Sequence, residues 1–216
     1  MPETDVFVHA PDSAEGSLPG ILAMPEAPSG LVIFAHGSGS SRMSPRNREL
    51  AGALGRRGMA TLLFDLLTPA EAGERANVFD IPLLARRLVG ALEWSARMPQ
   101  LASLPVGLFG GSTGAAAALM AAAEAPHRVR AVVSRGGRAD MAAASLHKVL
   151  APTLLIVGGA DTQVLELNRA ALTRLNCEAR LEIVPGATHL FEEPGALERV
   201  GELAGDWFAA HLSRAP

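Results

Sequence analysis

Three residues of complementary chemical type follow one another along the chain: Ser112, Asp161 and His189. A serine hydroxyl is a weak nucleophile until a base takes its proton, and the base needs an acid to hold its tautomer and stabilise its cation. Ser112 lies within Gly110-Gly111-Ser112-Thr113-Gly114, a G-x-S-x-G pentapeptide between an apolar run and an alanine-rich stretch. Small neighbours let such a turn close around strained backbone angles. A helix starting at the nucleophile points its N-terminal dipole at developing negative charge, and the Thr113 N–H becomes one oxyanion donor. Alone, the pentapeptide also suits an ordinary glycine-rich turn, so the other groups must decide.

Where this pentapeptide joins a strand to a helix, the acid and then the base follow it in the chain. Asp161 comes directly after Ile156-Val157-Gly158-Gly159-Ala160, and His189 closes Pro185-Gly186-Ala187-Thr188-His189. Both sit just past apolar runs. Of the other histidines, His9 reads as strand, His211 as last helix, and His127 and His147 as polar helix ends. His36 competes as a base because it too ends an apolar run, but it precedes Ser112. Asp140 is an alternative acid in a helix-start context, where Asp caps well. Asp65 reads as a loop support or a group approaching the site from the side. The loop His36-Gly37-Ser38-Gly39-Ser40-Ser41 is built of small residues and can turn a backbone N–H toward the nucleophile. Ser38 N–H is the expected second oxyanion donor, with Gly39 able to share the task. A phosphate-cradling loop would need a Gly-Lys-Ser/Thr ending, which is missing.

These residues need elements to hold them. Val6–His9 and Leu18–Met24 read as an antiparallel pair around the turn Asp12–Gly16. Buried strands are expected at 30–35, 59–64, 105–109 and 153–157, and further strands at 129–134 and 181–184. Helices are expected at 46–57, 81–98, 113–124, 140–149, 164–175 and 196–212, the last with Trp207 and Phe208 facing inward. Residues 68–77 read as a polar loop. Alternating apolar strands and helices predict an α/β fold: a mostly parallel sheet with helices on both faces and an antiparallel N-terminal strand, forming one domain over 1–216. Ligands in such a sheet sit at the carboxyl ends of the strands.

Composition narrows the partners. Hydrophobic residues make up 49% and charged residues 19% of 216, which is a globular balance. A net charge of -3 leaves no basic surplus for nucleic acid. The lone Cys177 suits a reducing compartment. The polar start Met1-Pro2-Glu3-Thr4-Asp5 is unlike a signal peptide, and no apolar run suggests a membrane span. A cytoplasmic protein without metal or cofactor, acting on a small-molecule ester, is the expectation.

Taken together, the 36–41 loop, the 110–114 elbow, Gly158-Gly159-Ala160-Asp161 and the run from Thr188 to Gly195 resemble the dienelactone hydrolase-like branch of the α/β-hydrolases. Some members of that branch are fused to phosphoribosyltransferase-like domains, and no such domain is read here. The resemblance implies the α/β-hydrolase fold and hydrolysis of carboxylic esters or lactones. Dienelactone hydrolase proper uses a cysteine nucleophile, so Ser112 favours an ordinary serine carboxylesterase. Only residues 135–152 separate two strands where many lipases insert a cap, so no cap domain and short-chain esters are expected. Arginines crowd two strand-end loops: Arg42, Arg46 and Arg48 in one, Arg135 and Arg138 in the other. They suit either an anionic substrate group or pairing with nearby carboxylates. Gly37, Gly39, Arg42, Gly111, Arg135 and Phe191 are the candidates for contact with substrate. Two rivals remain: a nucleotide-binding oxidoreductase, whose glycine spacing differs from G-x-G-x-x-G, and a silent relative used for binding.

Overall fold

The computed structural model describes residues 1–10 and 12–212. The chain runs β1 (Glu3–His9), β2 (Ser17–Ala23), β3 (Leu31–Ala35), α1 (Pro45–Arg56), β4 (Ala60–Phe64), α2 (Pro69–Gly73), α3 (Arg75–Val78), α4 (Ile81–Arg97) and β5 (Val106–Gly111). It continues through α5 (Thr113–Glu124), β6 (Val129–Arg135), β7 (Thr153–Gly158), α6 (Thr162–Leu172), β8 (Ala179–Val184) and α7 (Ala196–His211). The strands form one sheet in the order β1-β2-β4-β3-β5-β6-β7-β8. β1 pairs antiparallel with β2, and β2 with β4; every later pairing is parallel. This is the expected α/β architecture with an antiparallel start.

Helices cover both faces, which is why β3, β4, β5 and β7 are buried throughout and read as unbroken apolar runs. On one face α4 lies over α5. Ala115 to Ala118, Ala121 and Ala122 are fully buried there, their small side chains letting α5 lie close between sheet and helix. On the other face α1 and α7 close a second core around Phe34, Phe109, Trp207 and Phe208. From β3 the chain moves first to β4 on one side and then to β5 on the other. At that reversal neighbouring connections leave in opposite directions and open a crevice at the strand ends. His36 to Ser38 follow β3 there, and Ser112 follows β5.

Two elements differ from expectation. The stretch 68–77 holds two short helices. Thr68 caps the first by accepting the Glu71 N–H, and the Glu71 carboxylate accepts the Thr68 N–H at 2.8 Å. That reciprocal capping box, with Pro69 at the first turn, was present in the sequence as a helix-start signal. Residues 140–149 form two 3-10 turns, Ala139–Ala142 and Leu146–Lys148, in place of an α-helix. Neither has a side-chain cap, and Ala139, Ala142 and Leu146 must reach the α5 core at spacings near three. Among the described residues no helix is long and apolar enough to cross a membrane.

Candidate active site

Ser112 adopts φ 51° and ψ -120°, a region that non-glycine residues avoid. Such a conformation costs about 1–3 kcal/mol and persists only where its surroundings enforce it. The Ser112 N–H donates to the Arg135 carbonyl at 3.2 Å, and its own carbonyl accepts the N–H groups of Ala115 and Arg138, both at 3.1 Å. The glycines bring these segments together. A Cβ on Gly110 would overlap the Ala115 backbone, and one on Gly114 would overlap the carbonyls of Ala35 and His36.

His189 reaches this turn from the loop after β8. Its Nε2 lies 3.3 Å from the Ser112 hydroxyl, and its Nδ1 lies 2.7 Å from Asp161 Oδ2. The carboxylate makes Nδ1–H the donor and leaves the Nε2 lone pair facing Ser112. A contact of 3.3 Å is loose, as is common before substrate binds. Asp161 sits beyond β7, its N–H bonded to the Gly158 carbonyl. The Ala160 N–H donates to the Ala187 carbonyl at 2.9 Å and ties the Asp161 and His189 loops together. Thr188 donates both its N–H and its hydroxyl to Glu193 Oε1, at 3.0 and 2.6 Å. Those bonds hold the Glu193 carboxyl below its ordinary pKa. Phe191, at φ 56° and 1% exposed, pins the same turn into the α7 core. The expectation that Phe191 meets substrate is therefore corrected: its ring is covered by protein.

The loop after β3 is held by side chains. His36 Nδ1–H donates to the Gly37 carbonyl at 3.1 Å, and Nε2 accepts the Leu66 N–H at 3.0 Å. Burial pushes its pKa down despite the Gly37 bond and the Asp65 charge. With its lone pair already used, His36 is a strut and no longer a competing base. Asp65 accepts the Arg42 N–H at 2.6 Å and pairs with its guanidinium. Arg42 is thus a loop brace, its charge paired with Asp65. The Ser38 N–H, the expected oxyanion donor, donates to the Thr113 hydroxyl at 2.9 Å. The Thr113 N–H stands at the first position of α5, where no intrahelical acceptor exists, and it has no partner among the described residues.

A cavity of about 340 Å³ opens at this point. Gly37, Ser38, Gly39 and Thr113 form its polar end, and Leu66, Leu67, Val78 and Leu84 its apolar wall. The apolar wall was missed in the sequence because it comes from the turn after β4, from α3 and from α4, which only the fold assembles. Other arginines are paired: Arg46 with Glu192 at 2.9 Å, Arg48 with Glu3 at 3.1 Å, and Arg138 with Asp140 through two bonds of 2.8 Å. That last pair removes Asp140 as an alternative acid. Arg135 is different. Its Nε and Nη1 are buried without a hydrogen-bond partner among the described residues, although the residue as a whole keeps partial exposure. Its guanidinium lies 5.9 Å from the Phe191 ring centroid. Burial, with Arg46 nearby, lowers its pKa to about 10, which leaves it cationic at neutral pH. A Cβ on Gly111 would come within 2.7 Å of Arg135 Nη2, so Gly111 makes room for the guanidinium. Among the described residues no group of three or more His, Cys, Asp or Glu side chains is placed to hold a metal ion.

Residues 30–177 match the family model described as the alpha/beta hydrolase fold. A dienelactone hydrolase from Anabaena variabilis is 53% identical, with a TM-score of 0.93 and coverage of 98% of each chain. Est1E from Butyrivibrio proteoclasticus is 15% identical with a TM-score of 0.82, covering 96% of this chain and 98% of that one, and shares the fold. A Mycobacterium tuberculosis protein that carries the name phosphoribosyl transferase is 63% identical over 193 residues, or 89% of this chain. The match takes in 44% of that relative, so the chain spans less than half the length of the curated relatives it matches. By sequence, by sheet order and by the turn at Ser112, the chain belongs to the α/β-hydrolase superfamily, in its dienelactone hydrolase-like branch.

Proposed function

We propose that the protein is a serine hydrolase of small carboxylic esters. The observation that carries this reading is the unbroken contact from Ser112 Oγ through His189 to Asp161. His189 Nε2 takes the Ser112 proton as the hydroxyl attacks the ester carbonyl. Asp161 holds the tautomer that exposes Nε2 and stabilises the imidazolium. The Thr113 N–H and the 37–39 loop face the oxyanion. The alcohol leaves with the proton from His189, and water then attacks the acyl-enzyme with His189 again as base. The cavity size and the short 135–152 connection support short acyl chains. The name phosphoribosyl transferase is not carried to this chain, because the shared region is less than half of those relatives.

Ser112→Ala is expected to abolish hydrolysis of p-nitrophenyl acetate while circular dichroism stays unchanged. Full retained activity would overturn the reading, as would failure of a fluorophosphonate probe to label Ser112 in the native protein.

A second reading, an ester or lactone carrying an anionic group, is favoured by one observation. Arg135 is a largely buried cation beside the elbow with no carboxylate partner among the described residues. On this reading Arg135→Met lowers kcat/KM for a monoester of succinate by about 10- to 100-fold, the scale of one charged hydrogen bond. The neutral methyl-capped diester is then affected less. Equal losses on both substrates would show that Arg135 only supports the elbow.

A further inference from the structure

We propose that the Thr113 hydroxyl is itself an oxyanion donor, standing between the Ser38 amide and the substrate oxygen. The proposal rests on the acyl-transfer reading above. Oxyanion holes of this fold are built from two backbone N–H groups, one after the nucleophile and one from an upstream loop. Here the upstream amide already has an acceptor, since the Ser38 N–H points at Thr113 Oγ1 from 2.9 Å. A hydroxyl that accepts one hydrogen bond keeps its own hydrogen to donate. Thr113 Oγ1 makes no such donation to any described residue. Within a helix a threonine hydroxyl commonly bonds a carbonyl three or four residues back. At the first residue of α5 that route is not taken, although Thr113 is only 3% exposed.

The direction left for the hydrogen is the cavity, whose polar end is formed by Ser38 and Thr113 together. The backbone N–H of Thr113 is unpartnered in the same place. One residue therefore offers two donors, and the Ser38 amide polarises one of them. Hydrogen bonds in series strengthen each other in a low-dielectric site, and an O–H donor forms a short, strong bond to an oxyanion. No bond is made or broken at Thr113: it keeps its proton throughout, and the Ser112 proton travels on His189. The opposite arrangement has the opposite sign. If the hydroxyl merely occupied the Ser38 amide and had to leave before substrate bound, its removal would raise activity.

The test compares Thr113→Val, which keeps the branched shape, with Thr113→Ser, which keeps the hydroxyl, and with Thr113→Ala should the valine variant fold poorly. The substrate is p-nitrophenyl acetate, and inhibition by phenylboronic acid reports the tetrahedral adduct. For a lost oxyanion donor, kcat of Thr113→Val falls about 100-fold with KM changed no more than about 3-fold. Boronate affinity weakens in step, and Thr113→Ser stays within about 5-fold of the native enzyme. Native or higher kcat in Thr113→Val overturns the proposal while leaving the acyl-transfer reading intact. So does a serine variant as impaired as the valine one, which marks a packing role. A native protein that neither hydrolyses the ester nor reacts with the fluorophosphonate overturns both.

Discussion

At the elbow, backbone is packed against backbone: Gly110 against Ala115, and Gly114 against Ala35 and His36. In the loop after β3, side chains hold the backbone instead. His36 spans from Gly37 to Leu66, Asp65 braces Arg42, and the Thr113 hydroxyl takes the Ser38 amide. Both segments border the same crevice. The elbow is fixed by excluded volume, which has no pH dependence and little tolerance. The loop is fixed by hydrogen bonds and an ion pair, which can be loosened one at a time. Ser112 thus rests on the stiffer support, and the loop after β3 on the more adjustable one.

Substitution at Gly114 tests the stiff half most severely. Gly114→Ala forces a methyl group into the Ala35 and His36 carbonyls, and overpacking with no flexible neighbour should cost about 3 kcal/mol or more. A urea midpoint close to the native one would show that the elbow yields. A smaller effect is expected on the adjustable half. His36→Phe keeps a ring but strands the Leu66 N–H, while the Gly37 carbonyl keeps the Ser40 N–H, a cost of about 2 kcal/mol. The folded chain should lose kcat more than it gains KM, because the loop moves relative to Ser112.

The same variant carries the smallest effect, a change in pH dependence. The folded pKa of His36 lies below its ordinary 6.5 because the buried ring resists charge. Between those two values the unfolded chain binds more protons than the folded one, so stability rises with pH there. Above 6.5 the contribution is fully present, and as pH falls below 6.5 it is lost until the folded state protonates too. The difference in unfolding free energy between the native protein and His36→Phe should therefore shrink on acidification. A difference constant from pH 7.5 to 5, on the scale of about 1 kcal/mol per unit of pKa shift, would contradict the strut.

Much of this was legible because it is local. The strands of a sheet covered on both faces must be apolar along their length, so β3, β5 and β7 announced themselves, and with them the positions just past their ends. Asp161, just past β7, was singled out by that rule together with its place after Ser112 in the chain; His189 follows β8, which is only partly buried, and was singled out by chain order. The 68–77 segment was misread although its capping box was in view, because its composition is polar. The 140–149 segment was misread because helical and 3-10 spacings differ little over ten residues.

What the sequence determined by itself was the set of residue types at the strand ends and their order, since hydrophobic period and glycine sterics act over a few residues. What only the tertiary structure decided was the choice of partner. Arg42 and Arg135 are alike in sequence, yet one meets Asp65 and the other meets no carboxylate among the described residues. Phe191 packs into the core under α7, His36 is a strut and not a base, and Thr113 reaches an amide 75 residues away. Each of these depends on which segments the sheet order brings side by side, and a hydrogen bond or ion pair forms only with the group that arrives within about 3 Å.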